Sequence, residues 1–440
     1  MYSGGADGEV SRMRKALAAG ILMVAAVGAV MAQQLSQEPA VQQVVKTGTE
    51  APPVVNVTDE MRRHDAWNNG LYFGGAFYGF LLLVVVLAAG ISRRLRDLAL
   101  KVTPRPFLTA MVFVAMFTVV STILSFPFDL LSGFVVPHKF ALSEQSFGAW
   151  LWDQTKVLFV NIVLSAPIVA LALLGIRRVK RWWLALWLGS IPIILVLVLI
   201  GPVVLDPVFN KFEPLKDEQL KSEILALADQ AGIHGGRVFQ VDKSKQTTQM
   251  NAYVNGLGPT KRIVLWDTII AKLSRDQLKF AMAHEMAHHV KHHMWKLLGF
   301  LVVLLLAVFW LGQRTVEWAT RRWGTAWGFE AVHDPAAVPL LLLVVSVFLF
   351  LLSPVIAGFE RVQEHEADVF ALELTRLNDA GARAFVKLAE DSKVLPDPSP
   401  FIRFWRYSHP TLKERIAFCT TYKPWEQGLP NRSWKGRPKG

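Results

Sequence analysis

Five stretches of this chain, Leu71–Ile91, Phe107–Phe126, Val157–Ile176, Leu184–Leu205 and Val338–Phe359, contain no acidic or basic residue. Each is about the 20 residues that a helix needs to cross the hydrocarbon core of a bilayer. Lipid offers the backbone no hydrogen-bond partner, so such segments fold as helices that satisfy their own peptide groups. The shorter run Leu297–Leu311 directly follows a predicted helix and counts as a sixth span that continues it into the lipid. A content of 52% hydrophobic and 19% charged residues over 440 positions fits this reading better than a set of water-soluble domains. Buried core helices are the alternative, and the length of the runs counts against them.

Ahead of the first of these, Arg12, Arg14 and Lys15 precede an apolar run, Ala16–Ala32, that reads equally as a signal peptide or as a retained membrane helix. The formal net charge is +12, and much of it sits beside the spans, in Arg93, Arg94, Arg96, Lys101 and Arg105 and in Arg177, Arg178, Lys180 and Arg181. This is the bias of cytoplasmic loops. A nucleic-acid surface would need aromatic residues interleaved with the charge, which these loops lack, so nucleic acid is not expected as a partner. Cys419 is the one cysteine, which excludes an internal disulfide.

Polar composition returns between the spans and divides the chain into 1–33, the signal or first helix; 34–70, a linker; 71–206, membrane helices; 207–296, a catalytic segment; 297–359, membrane helices; and 360–440, a second catalytic segment with a frayed tail beyond Gly428. Within 207–296, Leu220, Ile224, Leu225 and Leu227 recur at helical spacing and predict an amphipathic helix over Lys216–Gly232. Arg237–Val241, Arg262–Trp266 and Asn251–Val254 predict strands of a small sheet.

The chemistry is carried by His284-Glu285-Met286-Ala287-His288. Ser274 and Gln277 form a capping-box pattern at the start of a helix that is expected to run unbroken to Leu298. On that helix His284 and His288 lie one turn apart and project from one face onto one ion. Glu285 is turned aside, near enough to touch a water held by that ion. Zinc lowers the pKa of such a water and polarises a carbonyl, and the carboxylate takes the proton and passes it to the leaving amine. His289, His292 and His293 follow and read as polar residues at a helix end: 289 turns about 100° from His288, 293 lies opposite His284, and 292 is two turns away.

A third ligand has to come from elsewhere, and Glu360–Asp368 is the densest acidic stretch. Glu360, Glu364 and Glu366 compete. Glu364 and Asp368 share a helical face, so Glu364 as ligand with Asp368 orienting a ligand histidine is one consistent pair, and a solvated helix face is the bland alternative.

The chain resembles the type I CAAX prenyl proteases, membrane-embedded gluzincin peptidases. The resemblance rests on Pro207–Leu215, Asn251-Ala252-Tyr253, Arg262–Thr268, the HExxH helix through His293, Arg361–Glu364 with Ala367-Asp368, and Ser408-His409-Pro410 with Arg415. It implies one Zn2+ per chain held by His284, His288 and Glu364, with Glu285 as the base and Asp368 behind the ligands. It further implies that Asn251, Ala252, Tyr253 and Val254 form an edge strand that binds substrate by main-chain pairing, and that His409 and Arg415 stabilise the oxyanion. Without it, His409 before Pro410 is only a turn histidine. The implied fold is mainly α, a multi-pass bundle of six to seven membrane helices enclosing a chamber, with a zincin-like α+β catalytic domain, so that Ala16–Ala32 becomes the first helix. The chain departs from the family pattern at Gln246, Gln249, Glu360 and His289, which bears on substrate preference and removes no ligand.

The expected protein is therefore an integral membrane zinc endopeptidase acting on peptides or proteins that are membrane-associated, unfolded or lipidated, in contact with membrane lipid. An HtpX-like heat-shock protease would have fewer spans, and a non-enzymatic transporter or scaffold would leave the histidines incidental. Counting helices from the basic loops puts both catalytic segments on the outer, periplasmic side of a bacterial inner membrane.

Overall fold

The computed structural model describes residues 53–256 and 261–436. The Ala16–Ala32 segment lies outside them. Among the described residues six helices are long and apolar enough to cross a membrane: Asp59–Ala88, Pro106–Lys139, Phe147–Arg178, Trp182–Phe209, His293–Trp327 and Pro335–Thr375. They correspond to the six runs read from the sequence. Their apolar windows are at most 28% buried within the chain, and that of Trp182–Phe209 is 0% buried. Leu171, Leu188, Phe159 and Val203 all point outward, so these helices need lipid rather than a protein core around them.

We label the elements that position the site as α1 (Asp59–Ala88), β1 (Phe212–Pro214), α2 (Glu218–Gln230), β2 (Arg237–Val241), β3 (Ala252–Asn255), β4 (Arg262–Trp266), α3 (Arg275–Val290), α4 (His293–Trp327), α5 (Val338–Thr375), α6 (Asn378–Asp391) and α7 (Leu412–Thr421). Helix α1 starts within the stretch expected to be a linker. Thr58 caps it by accepting from the amide of Met61, and Asp59 and Glu60 occupy the first turn, where the helix dipole favours acids.

The sheet has the order β1-β2-β4-β3. β2 and β4 are parallel, while β1 and β3 pair antiparallel on the two outer flanks. β1 has no strand signal in the sequence, because three residues ending in Pro are too few to show alternation. Ile263, Val264 and Leu265 of β4 are fully buried, and so are Met282, Ala283, Met286 and Ala287 on the inner face of α3. Those α3 residues share one core with Ala367, Phe370 and Ala371 of α5, which locks together the helices that carry His284, His288 and Glu364. Gly381 of α6 lets this core close, since a Cβ there would stand 2.8 Å from the ring of Phe280.

Two expectations are corrected. Helix α3 does not continue to Leu298; it ends at Val290, and His292 takes a left-handed conformation with φ 57° before α4 begins. The tail beyond Gly428 is not frayed where it is described. The amides of Arg432, Ser433 and Trp434 donate to the buried carboxylate of Glu373 at 2.6–2.7 Å, and Lys291 Nζ donates to the carbonyl of Ser433. Backbone amides supplied this anchor, and backbone amides leave no mark in a sequence.

Candidate metal centre and catalytic cavity

Both halves of the Ser274–Gln277 capping box are formed, which fixes the first turn of α3 and the angle at which it presents His284 and His288. The imidazole Nε2 atoms of the two histidines are 3.3 Å apart, with ring planes at 74°. From α5, Glu364 places Oε2 3.1 Å from His284 Nε2 and Oε1 3.4 Å from His288 Nε2. Two imidazole nitrogens and one carboxylate thus converge within 4.8 Å, the donor set of a hydrolytic metal site that keeps a position open. Three glutamates competed in the sequence. Glu364 is the one that turns to the histidines, while Glu366 faces His293, Lys296 and Lys291 at 3.1, 3.2 and 3.5 Å.

Behind this cluster, Asp368 places Oδ1 2.9 Å from His284 Nδ1. Arg415 on α7 closes on Asp368 from the other side, with Nε donating to Oδ2 at 2.8 Å and Nη2 to Oδ1 at 2.7 Å. Burial alone would depress His284, but hydrogen bonds to Asp368 and then Glu364 outweigh it and hold the imidazole at about 10 in the absence of a cation. Partial burial, and then the protonated His284 beside it, push His288 down to about 3. Burial raises Glu285 to about 7, opposed by His284 and supported by the negative charge of Glu364.

Glu285 lines a cavity of about 190 Å³ shared by Met250, Asn251, Ala252, Phe280, Phe385, His409 and Arg415. His409 enters it from the loop before α7, half-exposed, with Nε2 3.1 Å from Glu364 Oε2 and Nδ1 2.9 Å from Ser408 Oγ. Arg415 touches the same cavity, yet its Nε and Nη2 are both engaged by Asp368. Of the four residues expected to bind substrate, Asn251 and Ala252 line the cavity. Tyr253 instead points its hydroxyl toward Asp206 at 3.4 Å, and Val254 packs against the core.

One residue of this site escaped the sequence reading. His293, expected on the far side of an unbroken helix, is 2% exposed and sets its Nδ1 3.0 Å from Nδ1 of His288. The signal available was slight: histidine is among the few non-glycine residues enriched at positive φ, so His292 was a candidate break point.

Residues 60–211 match the family described as CAAX prenyl protease N-terminal, five membrane helices, and residues 214–423 match peptidase family M48. The chain is 34% identical over 392 residues to the uncharacterized metalloprotease YhfN of Bacillus subtilis, covering 87% of this chain and 90% of that one. The chain belongs to peptidase family M48. This M48 peptidase is also 32% identical over 305 residues to the CAAX prenyl protease 1 homolog of Arabidopsis thaliana, covering 67% of this chain and 70% of the relative. The crystal structure of S. mikatae Ste24p shares its fold, with a TM-score of 0.71 at 23% identity over 92% of this chain and 98% of that one. The M48 peptidase is thus a multi-pass membrane metalloprotease, a hydrolase whose family implies a metal ion and peptide or protein substrates. The heat-shock and transporter alternatives are not favoured.

Proposed function

We propose that the chain is a zinc-dependent endopeptidase in which His284, His288 and Glu364 hold the ion. The observation that supports this most directly is the convergence of their donor atoms within 4.8 Å, beside Glu285 and the free flank of the sheet. When bound, zinc supplies Lewis acidity, lowering the pKa of a water it holds and polarising a peptide carbonyl. Glu285 takes the proton from the attacking water and returns it to the leaving amine. Burial lifts its carboxylate above the ordinary carboxylate range, which brings it closer to the neutral pH at which it accepts and releases a proton. His409, its ring held at Nδ1 by Ser408, would turn its Nε2–H from Glu364 Oε2 to the carbonyl oxygen as that oxygen gains charge, Glu364 then being engaged by the ion. Arg415 acts through Asp368, as a positioning residue.

Substrate lies along β3. Trp266 N–H donates to the carbonyl of Asn251, and the pairing register then alternates, so the peptide groups of Ala252 and Val254 face away from β4 toward the free flank. A substrate strand added there is held by main-chain hydrogen bonds that tolerate many sequences. The substrates are extended segments of membrane-associated or unfolded proteins, lipidated ones where the host makes them. The basic loops, together with Arg321 and Arg322 near the end of α4, lie at the opposite ends of the helices from His293 and Glu364. This supports a bacterial inner membrane with the catalytic face turned away from the cytoplasm, which reporter fusions near Lys180 and after Arg415 test directly.

The deciding experiment is Glu285→Gln. Zinc stays bound stoichiometrically, since no ligand is altered, and cleavage falls by about 10²–10⁴-fold as expected for loss of a general base. Full turnover in that variant, or undiminished hydrolysis by the parent after thorough chelation, defeats the assignment.

A further inference from the structure

The break between α3 and α4 has a chemical result. Because His292 adopts φ 57°, the chain turns back at the end of the catalytic helix, and His293 comes to rest against His288 instead of a full turn beyond it. The two rings stand 5.0 Å apart at 78°, and the contact is between their Nδ1 atoms, at 3.0 Å. The second nitrogen of His293 lies 3.1 Å from Oε2 of Glu366, which is approached in turn by Lys296 and Lys291. Gln363 Nε2 donates to the His293 carbonyl and holds the start of α4 against α5.

Only one of two facing Nδ1 atoms can carry a hydrogen. Nε2 of His288 points into the ligand cluster, where a metal needs its lone pair, so the hydrogen of a neutral His288 resides on Nδ1 and is donated to His293. That leaves His293 with its own hydrogen on Nε2, donated to Glu366. We propose that His293 is a positioning residue for the metal: it fixes the ring orientation and tautomer of His288 and is itself held by Glu366. The proposal rests on His284, His288 and Glu364 being the ligands. Each ligand histidine is then anchored from α5, His284 by Asp368 directly and His288 by Glu366 through an interposed imidazole. A buried histidine that merely fills space would be indifferent to which of its nitrogens has a substitute.

The test uses that difference. Asparagine can present its Oδ1 near the place of histidine Nδ1, whereas glutamine can place its amide near Nε2. The full-length protein and His293→Ala, His293→Gln and His293→Asn are purified, stripped of metal and titrated with Zn2+ against a competing chelator. Co2+ absorption spectra report the geometry of the site. Ala and Gln are expected to weaken Zn2+ binding by about 10–100-fold and to alter the Co2+ spectrum, while Asn stays within a few-fold of the parent. Parent-like affinity in His293→Ala overturns the proposal, and so does an Asn variant as weak as the Gln one. Thermal midpoints of the metal-free proteins confirm folding, and should Ala not fold, the Asn and Gln pair still decides. A parent that holds no stoichiometric metal defeats the ligand assignment instead, so the two failures are distinct.

Discussion

Arg415 and Asp368 form a closed two-point pair directly behind His284, with both partners buried to 6% and 1% side-chain exposure. Such bidentate geometry satisfies the planar guanidinium and fixes the carboxylate in the orientation that His284 Nδ1 requires. Asp368→Asn is expected to lower Zn2+ affinity by about 10–100-fold, because His284 is left with a neutral, weaker acceptor and the new amide NH2 opposes the Arg415 donors that fix its orientation. It also strands a buried cation, at a cost of about 3–5 kcal/mol. Chelator competition and the thermal midpoint measure the two effects separately, and an Asn variant matching the parent in both shows the pair to be idle.

The three acidic candidates separate by where they face. Glu364→Ala removes a donor atom and is expected to abolish stoichiometric metal, whereas Glu366→Ala leaves all three ligands and retains the ion with at most a modest loss. Metal analysis of the two purified variants decides it. The reverse ranking shows that the wrong carboxylate has been assigned.

Metal loading should depend on pH with a definite sign. Without a cation His284 holds its proton up to about 10, so at pH 7 binding must displace that proton, and the apparent affinity rises with pH by about tenfold per unit for one proton released. His288, held near 3, adds nothing in this range. Titrations at pH 6.5, 7.5 and 8.5 with a chelator of known protonation test this. A pH-independent affinity contradicts it. Glu285 reaches about 7 without a cation, and a nearby positive charge draws it lower, so the acid limb of kcat/KM is expected below 7.

Val254→Pro removes an N–H that faces the free flank of β3 and none that pairs with β4. The expected result is a raised KM with metal content unchanged. An unaltered KM argues that substrate does not add to this strand.

Glu373 accepts from the hydroxyl of Tyr422 and from three successive amides, and so ties the described end of the chain to α5. Glu373→Gln presents donors to donors and is expected to cost about 1–3 kcal/mol, read as a lower thermal midpoint and faster proteolysis of the residues after Gly428. A tail as protected as in the parent shows the anchor to be unnecessary.

Much of this protein is legible in its amino-acid sequence. The spans follow from uncharged length, because a bilayer imposes a fixed thickness. The capping box, three of the four strands and the spacing of His284, Glu285 and His288 follow from the helix and strand periods, which are local properties. The early start of α1 was local too, but its polar first turns resemble a linker. What residue patterns left open, or the family resemblance only implied, were relations between segments far apart along the chain. Which of three glutamates reaches the histidines, that Arg415 is committed to Asp368, that β3 lies on an outer flank and that three tail amides seal Glu373 all depend on packing between elements. His293 is the sharpest case. One left-handed residue, His292, redirects everything after it, and a helical period carried across that residue assigns the wrong face. Periodicity holds only while the backbone stays in one conformational well; where it leaves, tertiary contacts decide which side chains meet.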